Sequence, residues 1–169
     1  AISVCEDLTS DRLRASVSDD GKGMDADLVA RVTDPFVTSR TTRKVGLGIP
    51  LFKAAAEACN GCLDIVSQPG KGTCIEVEFQ HSHIDRMPLG DLAGTILTLV
   101  VAFPEIHWLF DYEVRCQACA DTARFTFDDQ PVKEALIDIS LTEPDVLAFL
   151  RQLLEEGVAS VRQSVLEAI

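Results

Sequence analysis

Four glycines in two pairs flank a segment with no periodicity, and that arrangement constrains the chain more than any other feature. Gly21 and Gly23 lie in SDDGKGM, and Gly46 and Gly48 lie in VGLGIPLF. Between the pairs stand Arg40, Arg43 and Lys44, a local run of positive charge in a chain of 169 residues with net charge −12. Glycine lets a backbone approach a triphosphate closely and offer it N–H donors. A helix N-terminus adds partial positive charge. VGLGIPLF supplies both, because the helix opened by Ile49 and Pro50 follows directly. It is no Walker loop, since no Gly-Lys-Ser/Thr follows a strand, and its glycine spacing is wrong for a dinucleotide fingerprint. SDDGKGM follows a strand. A strand-end carboxylate such as Asp19 can accept a hydrogen bond from a base amino group, and glycines beside it leave room for a flat ring. Taken singly, each cluster reads first as a turn.

The remaining pattern alternates short strands and helices. Residues 1–7 and 12–18 alternate as strands, and 25–33 form a short helix. Residues 34–48 form a loop. IPLFKAAAEAC (49–59) is helical with Pro50 in its first turn, Asn60-Gly61 ends it, and CLDIVSQ and TCIEVEF form a hairpin around PGKG. Near residue 81 the texture changes, and HSHIDRMPLGD reads as a linker. Pro88 then opens an apolar helix to about 103. EIHWLFDYEVR and TARFTFDD make a second hairpin, and a last helix capped by Thr142 carries apolar residues from Val146 to Val165 at helical spacing. The expected domains are 1–80, a linker 81–88, and a small α+β domain 89–169.

The acidic balance argues against nucleic acid, which needs a basic face. The longest apolar run, AGTILTLVVAF at 93–103, is too short to span a bilayer and reads as a buried helix. Six cysteines with no secretory signal read as reduced thiols of a cytoplasmic protein. Two Cys-x-x-Cys pairs, 59–62 and 116–119, have the pair spacing of a four-cysteine zinc site but lie over fifty residues apart; small buried or turn residues are the plainer reading. The chain opens at Ala1 inside a strand-like run, so we expect it to be a piece of a longer protein.

DDGKGM, DPFVTSR, VGLGI and PGKGT resemble, in order and spacing, the motifs of the GHKL ATPases. That superfamily includes histidine kinases, type II topoisomerases, mismatch-repair ATPases and a heat-shock chaperone. The resemblance covers residues 1–80 and is closest to the histidine kinase catalytic domain; serine-kinase anti-sigma factors are similar. It implies an α+β fold of Bergerat type, a mixed sheet with helices on one face, here followed by an αββα segment. It implies ATP with Mg²⁺ as cofactors, held under a short lid at 34–48. By the same resemblance Asp19 takes the adenine amino group, Gly21 and Gly23 make room for the base, and Met24 lines its pocket. Phe36 packs at the lid base, and Thr38 and Arg40 fall where the lid meets phosphates; Lys44, with Arg40 and Arg43, is read from its charge and position as able to neutralise phosphates. Gly46, Leu47 and Gly48 form the second glycine box, and Thr73 completes the adenine hydrogen bonds, directly or through water. Val45 and Pro50 are mild departures from the kinase pattern.

A larger departure concerns the metal. The family holds Mg²⁺ with an asparagine on a helix before the first strand, with an acidic neighbour that often activates the attacking group. Asn60 is the only asparagine in this chain and closes a later helix, so no catalytic residue is assigned. His81, His83 and His107 do not stand where a kinase phosphoacceptor stands, on a helix before the domain. Residues 82–169 are expected to contact a protein partner or to cover a core, and MPLGDLAGTILTLVVAFPEIHWLFDYEV is softly similar to stand-alone ATP-binding proteins associated with iron-only hydrogenases. Three functions follow from these residues: an ATP-binding module of signal transduction that hydrolyses ATP or passes phosphate to a protein when the asparagine helix is present; a non-catalytic nucleotide-dependent regulator; and a four-cysteine metal protein.

Overall fold

The computed structural model describes residues 1–33, 47–117, 123–136 and 139–167. The elements run β1 (Ile2–Asp7), β2 (Arg12–Asp19), α1 (Ala26–Arg31), α2 (Gly48–Ala58), β3 (Cys62–Gln68), β4 (Gly72–Gln80), α3 (Leu92–Ala102), β5 (Leu109–Arg115), β6 (Ala123–Asp128), α4 (Gln130–Leu136) and α5 (Pro144–Leu166). They fall into two compact units, an early one of Ser10–Arg86 and a late one that joins Ala1–Thr9 to Met87–Ile169. Both are α+β. Strand β1 belongs with the late unit, where it pairs in parallel with β5.

In the early unit the strands run antiparallel in the order β3-β4-β2. Paired residues share a face of the sheet. Leu13, Ala15 and Val17 of β2 therefore stand on one face with Phe79, Val77 and Ile75 of β4. Leu13 and Val77 on that face are buried. Helix α2 covers it, setting Phe52 edge-on to Phe79 with centroids 5.9 Å apart, and its Ala56 is wholly buried. The opposite face of β3 carries Cys62, Asp64, Val66 and Gln68, all exposed. The one-sided sheet implied by the sequence is thus the observed one for this unit.

Helix α2 ends as Asn60-Gly61 leads one to expect, but the two residues divide the work differently. Asn60 takes the left-handed conformation, with φ 53°. Gly61 donates its N–H to Ala56 O at 2.9 Å. A Cβ at Gly61 would lie 1.7 Å from Glu78 O, so glycine is needed there for close approach to β4.

The start of β2 and the end of β4 are tied by Asp11. Its carboxylate accepts from Ser82 N at 2.8 Å, Ser82 Oγ at 2.7 Å and Gln80 Nε2 at 2.9 Å. These bonds, the Ser82 hydroxyl first, hold the Asp11 carboxyl below its usual value. A depressed folded value adds stability above the unfolded carboxylate pKa of about 3.9 and loses it as pH falls toward the folded value. Urea unfolding at stepped pH should show stability falling below about pH 4, and Asp11→Asn should flatten that limb.

In the late unit β5 lies between β1, parallel to it, and β6, antiparallel, giving a mixed sheet. Phe110, Tyr112 and Val114 alternate into the core. The Tyr112 hydroxyl donates to Glu6 at 2.6 Å and accepts from Arg162 Nε at 3.3 Å. Burial first, and then the Glu6 bond, push its pKa up to about 12. Helix α5 buries Leu150, Leu154, Val158, Val161 and Val165, the periodic stripe of the sequence. Gly157 lets α5 lie on β6, since a Cβ there would meet the Phe125 ring at 2.2 Å.

Three expectations need correction in this unit. Pro88 does not open α3; the helix starts at Leu92, capped by Asp91, whose carboxylate accepts from Gly94 N at 2.8 Å. Thr142 does not cap α5; Glu143 is the cap residue, without a side-chain bond, and Pro144 starts the helix. The expected αββα order gains a further helix, α4.

Candidate nucleotide site

The ends of β3, β4 and β2 set three polar side chains in one row. Thr73 is the register partner of Ser67 on β3 and of Asp19 on β2. The row continues the helix-covered face of the early unit, so apolar residues give way to two hydroxyls and a carboxylate at the sheet's end. Neighbouring strands lie about 4.8 Å apart, which sets Asp19 and Thr73 side by side. Asp19 is exposed and Thr73 half-buried.

The glycines pack this row against two loops. Asp19 Oδ1 accepts from Gly21 N at 2.9 Å. Gly23 has φ 65°, and a Cβ on it would meet Gln68 O at 2.0 Å. Gly72 has φ 99°, and a Cβ there would meet Asp19 O at 1.8 Å. The loop after β2 is stitched to the β3–β4 turn by Gly70 N on Lys22 O at 2.8 Å and by Met24 N on Ser67 Oγ at 2.7 Å. Met24 is half-buried. The cradle is therefore backbone on backbone, with Asp19 at its open edge.

Leu47 and Gly48 are exposed at the start of α2. Leu47 is the cap residue and brings no capping side chain. A Cβ at Gly48 would meet nothing within 4 Å. Of the other residues expected here, Phe36, Thr38, Arg40, Lys44 and Gly46 lie outside the described residues, as does most of the expected lid at 34–48.

The donor set does not fit the family's magnesium site. Asn60 Nδ2 donates to Gln80 Oε1 at 2.8 Å, and Gln80 is the register partner of Arg12 at the start of β2. Asp19 ends that strand, about 24 Å away at some 3.4 Å per residue. Among the described residues one group has three possible metal ligands, His107, Asp128 and Asp129 of the late unit. Each of its residues already has a protein partner. Asp129 accepts from Trp108 N at 2.9 Å and lies 2.6 Å from Lys133 Nζ. Asp128 accepts from Gln130 N at 2.9 Å and meets His107 Nε2 at 2.8 Å. These acids hold the start of α4.

The cysteines divide. Cys5, Cys59, Cys62 and Cys74 are not disulfide-bonded. Cys116 is disulfide-bonded, which corrects the expectation that all six are reduced and leaves it no thiolate for a metal. Cys119 lies outside the described residues. Burial first, and then Asp64, push the Cys62 thiol up from its usual value, away from reactivity.

Residues 1–83 match the family described as histidine kinase-, DNA gyrase B-, and HSP90-like ATPase. This stretch belongs to that family. It contains the Asp19–Thr73 pair and both loops of the cradle. The sensor protein kinase FleS of Pseudomonas aeruginosa is 51% identical over 65 residues, 38% of this chain and 16% of FleS. A sensor histidine kinase NtrY-like protein of Rickettsia conorii is 30% identical over 84 residues, 50% of this chain and 14% of that protein. The sensor histidine kinase YxdK of Bacillus subtilis is 34% identical over 73 residues, 41% of this chain and 22% of YxdK. The chain thus spans less than a quarter of the length of each. Among solved structures, the catalytic domain of histidine kinase ThkA is 21% identical, with a TM-score of 0.39, over 50% of this chain and 55% of that one. Among the described residues no helix is long and apolar enough to cross a membrane.

Ser67 is the site residue that the sequence reading missed. Its signal was available: a turn at PGKG that pairs Gln68 with Gly72 must pair Ser67 with Thr73.

Proposed function

We propose that the early unit binds ATP as the nucleotide-handling part of a cytoplasmic signalling protein. The adenine amino group donates to Asp19, Thr73 completes the contact with the base, and Gly21, Gly23 and Gly72 keep the floor flat. The phosphates lie toward Leu47, Gly48 and the start of α2, where backbone N–H groups and the helix dipole favour negative charge. The observation that carries this reading is the register pairing of Asp19 with Thr73 across β2 and β4. Calorimetric titration of the chain with ATP and ADP, with Mg²⁺ supplied, should give heat saturating near one nucleotide per chain. No heat with any adenine nucleotide would end the reading.

The finer activity is hydrolysis of ATP, or transfer of its γ-phosphate to a protein, wherever the Mg²⁺-holding amide is supplied. In such chemistry the protein mainly positions groups and neutralises charge. A second reading, a non-catalytic regulator that responds to bound nucleotide and grips a protein through residues 82–169, is favoured by one observation: the asparagine of this chain sits at the far end of β2 from Asp19. ADP release measured under saturating ATP separates the two.

A further inference from the structure

We infer that Ser67 is a positioning residue of the nucleotide site, whose hydroxyl decides which way the Thr73 hydroxyl points. The inference rests on the ATP reading above and adds a residue to it. Ser67 Oγ accepts from Met24 N at 2.7 Å. It also lies 3.0 Å from Gly72 O and 2.8 Å from Thr73 Oγ1. A hydroxyl has one proton and two lone pairs. Met24 takes one lone pair, so the single proton of Ser67 has two rival acceptors.

The choice fixes what Thr73 can offer. With the Ser67 proton on Gly72 O, Thr73 must donate its own proton to Ser67, and it faces the site as an acceptor only. With the Ser67 proton on Thr73 Oγ1, the Thr73 proton is free to donate outward. Adenine presents an amino donor flanked by ring-nitrogen acceptors. Asp19 accepts and stands beside Thr73 in the same row, so adenine needs Thr73 as a donor. The bound state therefore has the Ser67 proton on Thr73 Oγ1, which leaves the Thr73 proton to the base. No bond but hydrogen bonds changes.

The same serine holds the Met24 loop, and a merely structural role would weaken binding through that loop. A double-mutant cycle separates the two roles. ATP titrations of the full chain compare wild type, Ser67→Ala, Thr73→Val, the double variant and Ser67→Thr. A single neutral hydrogen bond predicts Ser67→Ala about fivefold to tenfold weaker. If Ser67 acts through Thr73, the double variant is weaker than Thr73→Val by no more than about twofold, and Ser67→Thr, which keeps the hydroxyl, stays within about threefold of wild type. If Ser67→Ala does not fold, Ser67→Cys, a weak donor of similar size, replaces it in the cycle. Ser67→Ala binding like wild type, or a double variant losing the product of the two single losses, overturns the inference and leaves the ATP reading standing. A wild-type chain that does not bind ATP overturns both.

Discussion

Asp19→Asn should weaken ATP binding by about a hundredfold while leaving the melting temperature nearly unchanged. The reason lies in the bond that Asp19 already makes. Its Oδ1 accepts from Gly21 N at 2.9 Å. An asparagine can keep that bond only by pointing its amide oxygen at Gly21. Its NH₂ group then stands where the second carboxylate oxygen faced the base. Donor meets donor against the adenine amino group. A hydrogen bond to a charged group contributes about 1.5–3 kcal/mol, and leaving its partner unmatched costs more; at about 1.4 kcal/mol per tenfold this is one to two orders of magnitude in Kd or beyond. The loop is untouched because the Gly21 bond survives, so calorimetry and a thermal melt on one sample separate binding from folding. Equal ATP affinity in the two proteins would remove Asp19 from the site.

The strands of the early unit were legible because their side chains alternate strictly. CLDIVSQ occupies β3 residue for residue, and PGKG marks the turn. Hairpin arithmetic then yields the Ser67–Thr73 register, whereas the Asp19–Thr73 pair joins β2 to β4, strands separated in the chain by α1, α2 and β3, and no turn sets it. Legibility failed where two local signals competed. Pro88 and Asp91 could each start α3, and Asp91 prevails because its carboxylate reaches Gly94 N, a bond that proline cannot offer. Helix α4, of 7 residues, is too short to show periodicity. It depends on Asp129, paired with Lys133 and bonded to Trp108 N, a contact across the β5–β6 hairpin that no local pattern contains. Ser67 was overlooked for a different reason. Serine is common beside turns, and its role appears only when its register with Thr73 is combined with the Met24 bond.

Gly72→Ala should be among the most damaging of the small substitutions in this site, and its comparison with Gly70→Ala shows why. Both glycines have positive φ, 75° at Gly70 and 99° at Gly72. At Gly70 an added Cβ meets nothing within 4 Å. That substitution carries only the backbone strain of an L-residue at positive φ, roughly 1–2 kcal/mol. At Gly72 the Cβ would sit 1.8 Å from Asp19 O and 2.8 Å from Asp20 Cα, both backbone atoms that no rotamer change can move aside. The chain must open β4 from β2 at the pair that joins Thr73 to Asp19. Loss of that pairing raises the expected cost to about 3–4 kcal/mol, within the range of the largest single-residue effects. For a unit of this size that is a fall in melting temperature of about 12 °C or more. Urea unfolding of the two variants gives the difference directly. Nucleotide binding adds a second readout, because opening the strand ends moves the carboxylate away from the threonine. Gly72→Ala should therefore lose ATP affinity under conditions where it is still folded, whereas Gly70→Ala should bind like wild type. Equal stabilities for the two variants would mean that the strand ends yield without resistance, and a carboxylate on so compliant a strand could not select adenine by its position.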